Sequence, residues 1–189
     1  MIKIGILGDI GSGKSYVAKN FGYPVFNADY EVRKLYQSDK KIFNKLKKSL
    51  PKYISSFPID KKEITSAILS DKKNLTKIIK IVHLEIRKKL NTFIKKNKKS
   101  KILILDIPLL LENKINNKKD ILIFVESKKL EIIKKLKKRK NFNHKLLKKF
   151  KNNQLPIIYK KKESHFIIKN DFTKRTVRNR IKNILKKII

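Results

Sequence analysis

Gly8-Asp9-Ile10-Gly11-Ser12-Gly13-Lys14-Ser15 follows directly on Ile2-Lys3-Ile4-Gly5-Ile6-Leu7, a nearly all-apolar run. The spacing is Gly, four residues, Gly, Lys, Ser, the pattern of a loop that wraps nucleotide phosphates. Each part has a physical reason. Glycines let backbone N–H groups turn inward around phosphate oxygens with no Cβ in the way. A helix after the loop would add its first amides and positive dipole end. Lys14 is expected to reach the β and γ phosphates, and the Ser15 hydroxyl to ligate the magnesium that bridges them. Gly8, Asp9, Ile10, Gly11, Ser12, Gly13, Lys14, Ser15 and Tyr16 are therefore the expected ATP-binding residues. A chance match is expected in roughly 0.3% of sequences with these Gly, Lys and Ser/Thr frequencies. All five glycines (5, 8, 11, 13 and 22) lie in the first 22 residues, so a Gly-poor chain places them where the backbone needs them. A dinucleotide loop would need another Gly three residues after Gly13, where Tyr16 stands.

Working outward, the apolar run over 2–7 reads as a buried parallel strand, and a helix is predicted from about Gly13 to Phe21. Pro24-Val25-Phe26-Asn27 reads as a short second strand. From Ala28 to about Asn97 the pattern is helical. Asp60-Lys61-Lys62-Glu63 reads as a variant capping box, and Ile78, Ile79, Val82, Ile86, Leu90 and Phe93 form one apolar stripe. Further strands are predicted over 101–106, 120–125 and 165–168. A helix striped by Leu130, Ile133 and Leu136 ends near Arg139. Residues 142–164 hold two Lys-dense helical patterns broken at Pro156, and 173–189 a closing amphipathic helix. Strands alternating with helices imply an α/β fold with a parallel core sheet.

The 189 residues carry 51 Lys and Arg against 15 Asp and Glu, a net charge of +36. Such a balance invites a nucleic-acid reading. However, 45 of the cations are Lys and only 6 Arg, with 30 Ile, 16 Asn and 3 Ala, the signature of A/T-rich codons. The Lys residues are spread along the whole chain, and Arg, the better reader of bases and phosphates, is scarce. Solvated surface charge is the favoured reading, with no specific nucleic-acid partner. The absence of Cys excludes disulfides, thiolate metal sites and a Cys nucleophile. No apolar stretch reaches the ~18–20 residues of a membrane span. With no signal peptide visible, the expectation is a cytoplasmic enzyme with no membrane partner; oligomeric state is not legible.

Outside the loop, Asp29 follows the second strand, where it would accept a hydroxyl proton, hold magnesium through water, or cap a helix. Asp106 ends the apolar strand over 101–105, the place of a magnesium-side carboxylate. Glu112 reads equally as a supporting acid or a helix-end charge. His83 reads as packing or as a site residue, and Arg139 as a phosphate clamp or a surface cation. Three His (83, 144, 165) and no Cys make no metal cluster.

These residues, taken in order, resemble the bacterial dephospho-CoA kinases, P-loop kinases of coenzyme A synthesis. The family's loop looks like Gly8 to Ala18. Its Asp-Ala-Asp element, followed by Arg and Leu, resembles Asn27-Ala28-Asp29 with Arg33 and Leu35. Its His-Pro-x-x-Arg element resembles His83-Leu84-Glu85-Ile86-Arg87. Asp-x-Pro-Leu-Leu-x-Glu is matched in full by Asp106 to Glu112. Arg139 matches the arginine before the lid, Gln154 and Lys160 the lid residues, and Asn170 the Asn after the last strand. The chain departs from the family at Asn27 for Asp, Leu84 for Pro, Ile132 and Lys135 in the helix before the lid, and Ser164-His165 for Ala-Asp.

The resemblance implies a single three-layer P-loop kinase domain over 1–189, with a helical acceptor-binding insertion at about 28–97 and a lid at about 140–164. It implies transfer of the ATP γ-phosphoryl group to the 3′-hydroxyl of dephospho-CoA, with Mg2+. Lys14, Asp29 and Arg139 are the expected catalytic residues, with Lys135 and Lys160 assisting Arg139. Asp29, His83, Arg87, Asp106 and Lys160 are the expected acceptor-binding residues, and Ser15 and Asp106 the expected metal ligands. A nucleoside monophosphate kinase is the alternative enzyme, disfavoured by the 106–112 element. A nucleic-acid-binding P-loop protein is the alternative from another class, and would need clustered charge with stacking aromatics.

Overall fold

A computed structural model describes residues 1–139 and 142–189. The elements in chain order are β1 (Ile2–Gly8), α1 (Lys14–Lys19), β2 (Val25–Asn27), α2 (Ala28–Ser38), α3 (Lys40–Ser49), α4 (Lys61–Ser70), α5 (Lys72–Lys96), β3 (Ile102–Asp106), β4 (Ile121–Glu126), α6 (Lys129–Lys137), α7 (His144–Lys151), α8 (Ile157–Lys162), β5 (Phe166–Lys169) and α9 (Lys174–Ile188). They divide into two compact units. The first comprises Met1–Asn27, Asn97–Phe142 and Asn153–Ile189, the second Ala28–Lys96 and Asn143–Asn152.

The first unit is built on a parallel five-stranded sheet in the order β2-β3-β1-β4-β5. β1 is central because the chain leaves it for one side of the sheet and later returns to the other. That puts the topological switch point beside its C-terminal end, where α/β proteins bind ligands. The apolar runs read from the sequence are the buried strands. Ile4, Ile6, Ile102, Ile104, Ile123, Val125 and Ile168 form one cluster with Val17, Ala18 and Phe21 of the α1 region and Val177, Ile181 and Ile184 of α9. Each fully buried Ile or Val contributes about 1.5–3 kcal/mol of transfer free energy. α9 opens on Thr173, whose hydroxyl accepts from the Thr176 N–H.

On α6, the buried side chains are Ile132 and Leu136, while Leu130 is 73% and Ile133 40% exposed. The expected stripe of threes is therefore corrected to a pair four apart. Positions three apart drift by about 60° per step around a helix, whereas four apart nearly superpose. Ile132 and Leu136 are selected by what they cover: a Cβ added at Gly11 would meet Leu136 Cγ at 2.9 Å and Ile132 Cγ2 at 3.1 Å. The buried face of α6 thus packs on the Gly-rich loop.

The second unit is all helical. α5 buries Leu75, Ile78, Val82, Ile86 and Leu90, close to the expected stripe; Ile79 and Phe93 are half-buried on its flank. Asp60 caps α4 through the Lys62 N–H at 2.8 Å, but Glu63 does not close a box. Its Oε1 instead accepts from Ser55 N, Ser55 Oγ and Ser56 N, and those bonds hold its carboxyl below the usual carboxylate range against the opposing effect of burial. α7 also belongs here, because Lys149 Nζ donates to Ile68 O at 2.6 Å and Leu69 O at 2.9 Å near the end of α4. A cation at a helix C-terminus satisfies carbonyls the helix leaves unpaired. The stretch expected to act as one lid is therefore divided. Residues 143–152 fold with the helical unit and 153–164 with the sheet, while 140 and 141 lie outside the described residues.

Candidate functional site

The loop after β1 is held from within and from three neighbouring elements. Asp9 Oδ1 accepts the Ile10 N–H at 2.7 Å, and Asp9 O accepts the Ser12 N–H at 3.1 Å. Lys14 Nζ lies 2.8 Å from Asp9 O and 3.2 Å from Gly8 O, so the ammonium stands over the loop's own opening carbonyls. Gly13 has φ 89 and is pressed against the Asn170 amide with no room for a Cβ, so two independent constraints demand glycine there. α1 is only six residues long, so it offers no long helix dipole behind the loop. The Ser12 hydroxyl is buried with no hydrogen-bond partner among the described residues. A loop with inward-turned glycines, a cation and an orphaned buried hydroxyl fits a phosphate chain, since oxyanions accept the donors that protein groups do not.

Asp106 is the last residue of β3 and is 3% exposed. It is in register with Asn27, the last residue of β2, whose Nδ2 donates to its Oδ2 at 2.5 Å. Asn27, where the family pattern has Asp, thus supplies a donor to a buried carboxylate that a second carboxylate would repel. Ser15, one residue after Lys14, is exposed. Among the described residues no three His, Cys, Asp or Glu cluster as a metal centre. Hard oxygen donors from one carboxylate and one hydroxyl suit magnesium, which keeps several waters and takes its remaining ligands from substrate phosphates.

Lys160, expected to be a lid cation, is buried in an ion pair with Glu112 Oε1 at 2.7 Å. The same oxygen accepts the Leu155 N–H at 3.0 Å, so Glu112 pins the chain leading into α8 to the turn after β3. Lys161 pairs with Glu126 at the end of β4. Removing one partner of a buried pair costs about 3–5 kcal/mol, which makes Glu112–Lys160 a positioning contact of this segment. Lys135 lies 5.1 Å from the centre of the Phe172 ring. Arg139 is exposed just beyond α6, and its N–H donates to the carbonyl of Leu136, which covers the loop.

In the helical unit, Asp29 is exposed in the first turn of α2, not at its cap. It is two residues beyond Asn27, so the covalent chain ties it to the end of β2. His83 and Arg87 lie one turn apart on α5. Burial, with the Arg87 cation adding to it, pushes the His83 imidazole below its ordinary value and so favours the neutral form. Two donors at the loop escaped the motif reading. Ser127 Oγ donates to Ser12 O at 2.9 Å and Asn170 Nδ2 to the same oxygen at 2.8 Å. Asn170 was reached through the resemblance; a lone Ser just after a strand carries no spacing signal.

The profile of the dephospho-CoA kinase family matches residues 2–175. The chain belongs to the dephospho-CoA kinase family. A dephospho-CoA kinase of Wolbachia sp. subsp. Brugia malayi is 34% identical over 187 residues, 96% of this chain and 95% of that one. Among solved structures, one from Thermus thermophilus superposes with a TM-score of 0.80 at 24% identity, covering 100% of this chain and 98% of the other. The dephospho-CoA kinase of Campylobacter jejuni gives 0.63 at 21% identity over 98% and 96%. The expected P-loop kinase fold is thereby shown, and with it an ATP-dependent kinase. Among the described residues no helix is long and apolar enough to cross a membrane.

Proposed function

We propose that this dephospho-CoA kinase family member transfers the γ-phosphoryl group of ATP to the ribose 3′-hydroxyl of dephospho-CoA. The observation that carries the reading is the loop over 8–15 at the end of the central strand, with Lys14 over it and the buried Asp106 carboxylate on the adjacent strand end. The loop amides and Lys14 hold the β and γ phosphates and offset their charge. Ser15 and Asp106 would hold magnesium. Bound there, the ion would supply positive charge to offset what builds on the leaving group.

Asp29 orients the acceptor hydroxyl and takes its proton. The 3′-oxygen forms the new bond to the γ phosphorus as the bond from that phosphorus to the β–γ bridging oxygen breaks, and ADP leaves with that electron pair. Arg139 neutralises charge developing on the transferred group. Lys160 takes no part in that neutralisation, because Glu112 already claims its charge. His83 and Arg87 contribute to acceptor binding. A neutral imidazole suits hydrogen bonding to an uncharged part of the acceptor, and the guanidinium suits its diphosphate.

Remote binding energy is spent on placing the reacting hydroxyl, so a truncated acceptor loses turnover as well as affinity. Steady-state kinetics at saturating ATP and magnesium test this. Dephospho-CoA should give a kcat/KM at least about 10³-fold above AMP or adenosine, the loss expected when most of the orienting contacts are removed. A preference for AMP would move the chain to nucleoside monophosphate phosphorylation and reassign the helical unit as a nucleotide pocket.

A further inference from the structure

We propose that Ser127 and Asn170 are positioning residues that fix the Ser12–Gly13 peptide, and so aim the Gly13 N–H at the β phosphate of the nucleotide. The proposal rests on the reading of the loop as a nucleotide-phosphate site. Its basis is the double occupancy of one carbonyl. Ser12 O accepts from Ser127 Oγ at 2.9 Å and from Asn170 Nδ2 at 2.8 Å, which uses both of its lone pairs. The donors come from beyond the ends of two different strands, β4 and β5, more than a hundred residues away in sequence.

Asn170 is itself fully held. It is 3% exposed, its N–H donates to Glu126 O at 2.7 Å, and its Oδ1 accepts the Phe172 N–H at 2.9 Å. Because a backbone N–H can only donate, the amide oxygen must face Phe172 and the NH2 group must face Ser12. The orientation of the side chain is thus set by its neighbours and not by the loop.

The consequence for Gly13 follows from the peptide bond. In a planar trans peptide the C=O and N–H point in opposite directions. Holding the Ser12 carbonyl towards Ser127 and Asn170 therefore turns the Gly13 N–H the other way, away from the two donors. A loop peptide with one free carbonyl can flip at small cost; one whose carbonyl is bonded twice must break both bonds to do so. Phosphate binding then needs no reorganisation of this amide, which is the condition for strong electrostatic stabilisation. The closeness of the clamp is recorded at Gly13, where the Asn170 amide occupies the space of any Cβ.

A purely structural role, stapling two strand ends to the loop, would lower stability or weaken every nucleotide alike. The test is calorimetric affinity of the full chain for ADP and for AMP, with the Gly13 amide followed by 1H–15N NMR. In S127A and in N170A, ADP affinity should fall roughly 3–10-fold, as for one lost hydrogen bond, with AMP affinity held within about twofold. S127T keeps the hydroxyl and should restore the wild-type ratio. The double variant should lose roughly 10²-fold for ADP. The Gly13 cross-peak should shift on ADP addition in the wild type and shift less in each variant. Equal losses for ADP and AMP, no loss for either, or an unchanged Gly13 response would overturn the proposal. If the double variant fails to fold, S127A against S127T still decides it. Wild-type protein with no preference for ADP over AMP would instead overturn the phosphate-loop reading beneath it.

Discussion

Lys14→Met should lower kcat by about 10³-fold or more, because a cation aimed at the charge developing between the β and γ phosphates is worth several kcal/mol in a site shielded from water. The ammonium is already in place: it lies 2.8 Å from Asp9 O and 3.2 Å from Gly8 O, on the loop that would receive the phosphates. Met matches the length and most of the volume of the Lys stem, so the half-buried methylenes keep their packing and only the charge is lost. The fold should survive, since the core beneath the loop is made by β1, β3 and β4, to which the Lys14 head contributes nothing. Turnover and circular dichroism on the same preparation check both halves. A variant with near-normal kcat and native dichroism would show that the loop does not serve phosphoryl transfer.

Asp29→Asn should cut kcat by about 10²–10⁴-fold, the usual contribution of a general base, while ADP still binds. The amide keeps the size and one acceptor oxygen but cannot take a proton. Asp29 is exposed in the first turn of α2, where a carboxylate gains about 0.3–1 kcal/mol from the helix dipole, so the variant loses little stability. Turnover, calorimetric ADP binding and a melting curve separate the outcomes. An unchanged kcat with a small loss of melting temperature would reduce Asp29 to a helix-end charge.

The parts of the fold legible from sequence were those with a local signal. The runs over 2–7, 101–106 and 120–125 are apolar without alternation because both faces of β1, β3 and β4 are covered, and the Gly-Lys-Ser spacing marks the turn between β1 and α1. Asp106 was legible as a polar residue closing an apolar strand. What escaped notice depends on partners far away in the chain. Nothing near Lys160 signals that Glu112 will take its charge, and nothing near Ser127 points to Ser12. On α6, Leu130 and Ile133 are as apolar as Ile132, and only Gly11 beneath the helix decides which are buried. Glu63 had the spacing of a capping box, but three donors at Ser55 and Ser56 outbid the single N–H of Asp60. The division of 143–164 between the units goes with contacts of Lys149 on α7 and of Lys160 and Lys161 on α8, three lysines in a run where lysine carries almost no information.

The most direct test of the phosphoryl-transfer account is 31P NMR of the product formed from ATP, magnesium and dephospho-CoA by the purified chain. The account predicts one new phosphomonoester resonance, coupled to the ribose H3′, growing in step with ADP. A new phosphorus signal at any other position of the acceptor, or ADP formed at the same rate with no phosphorylated acceptor, would contradict it.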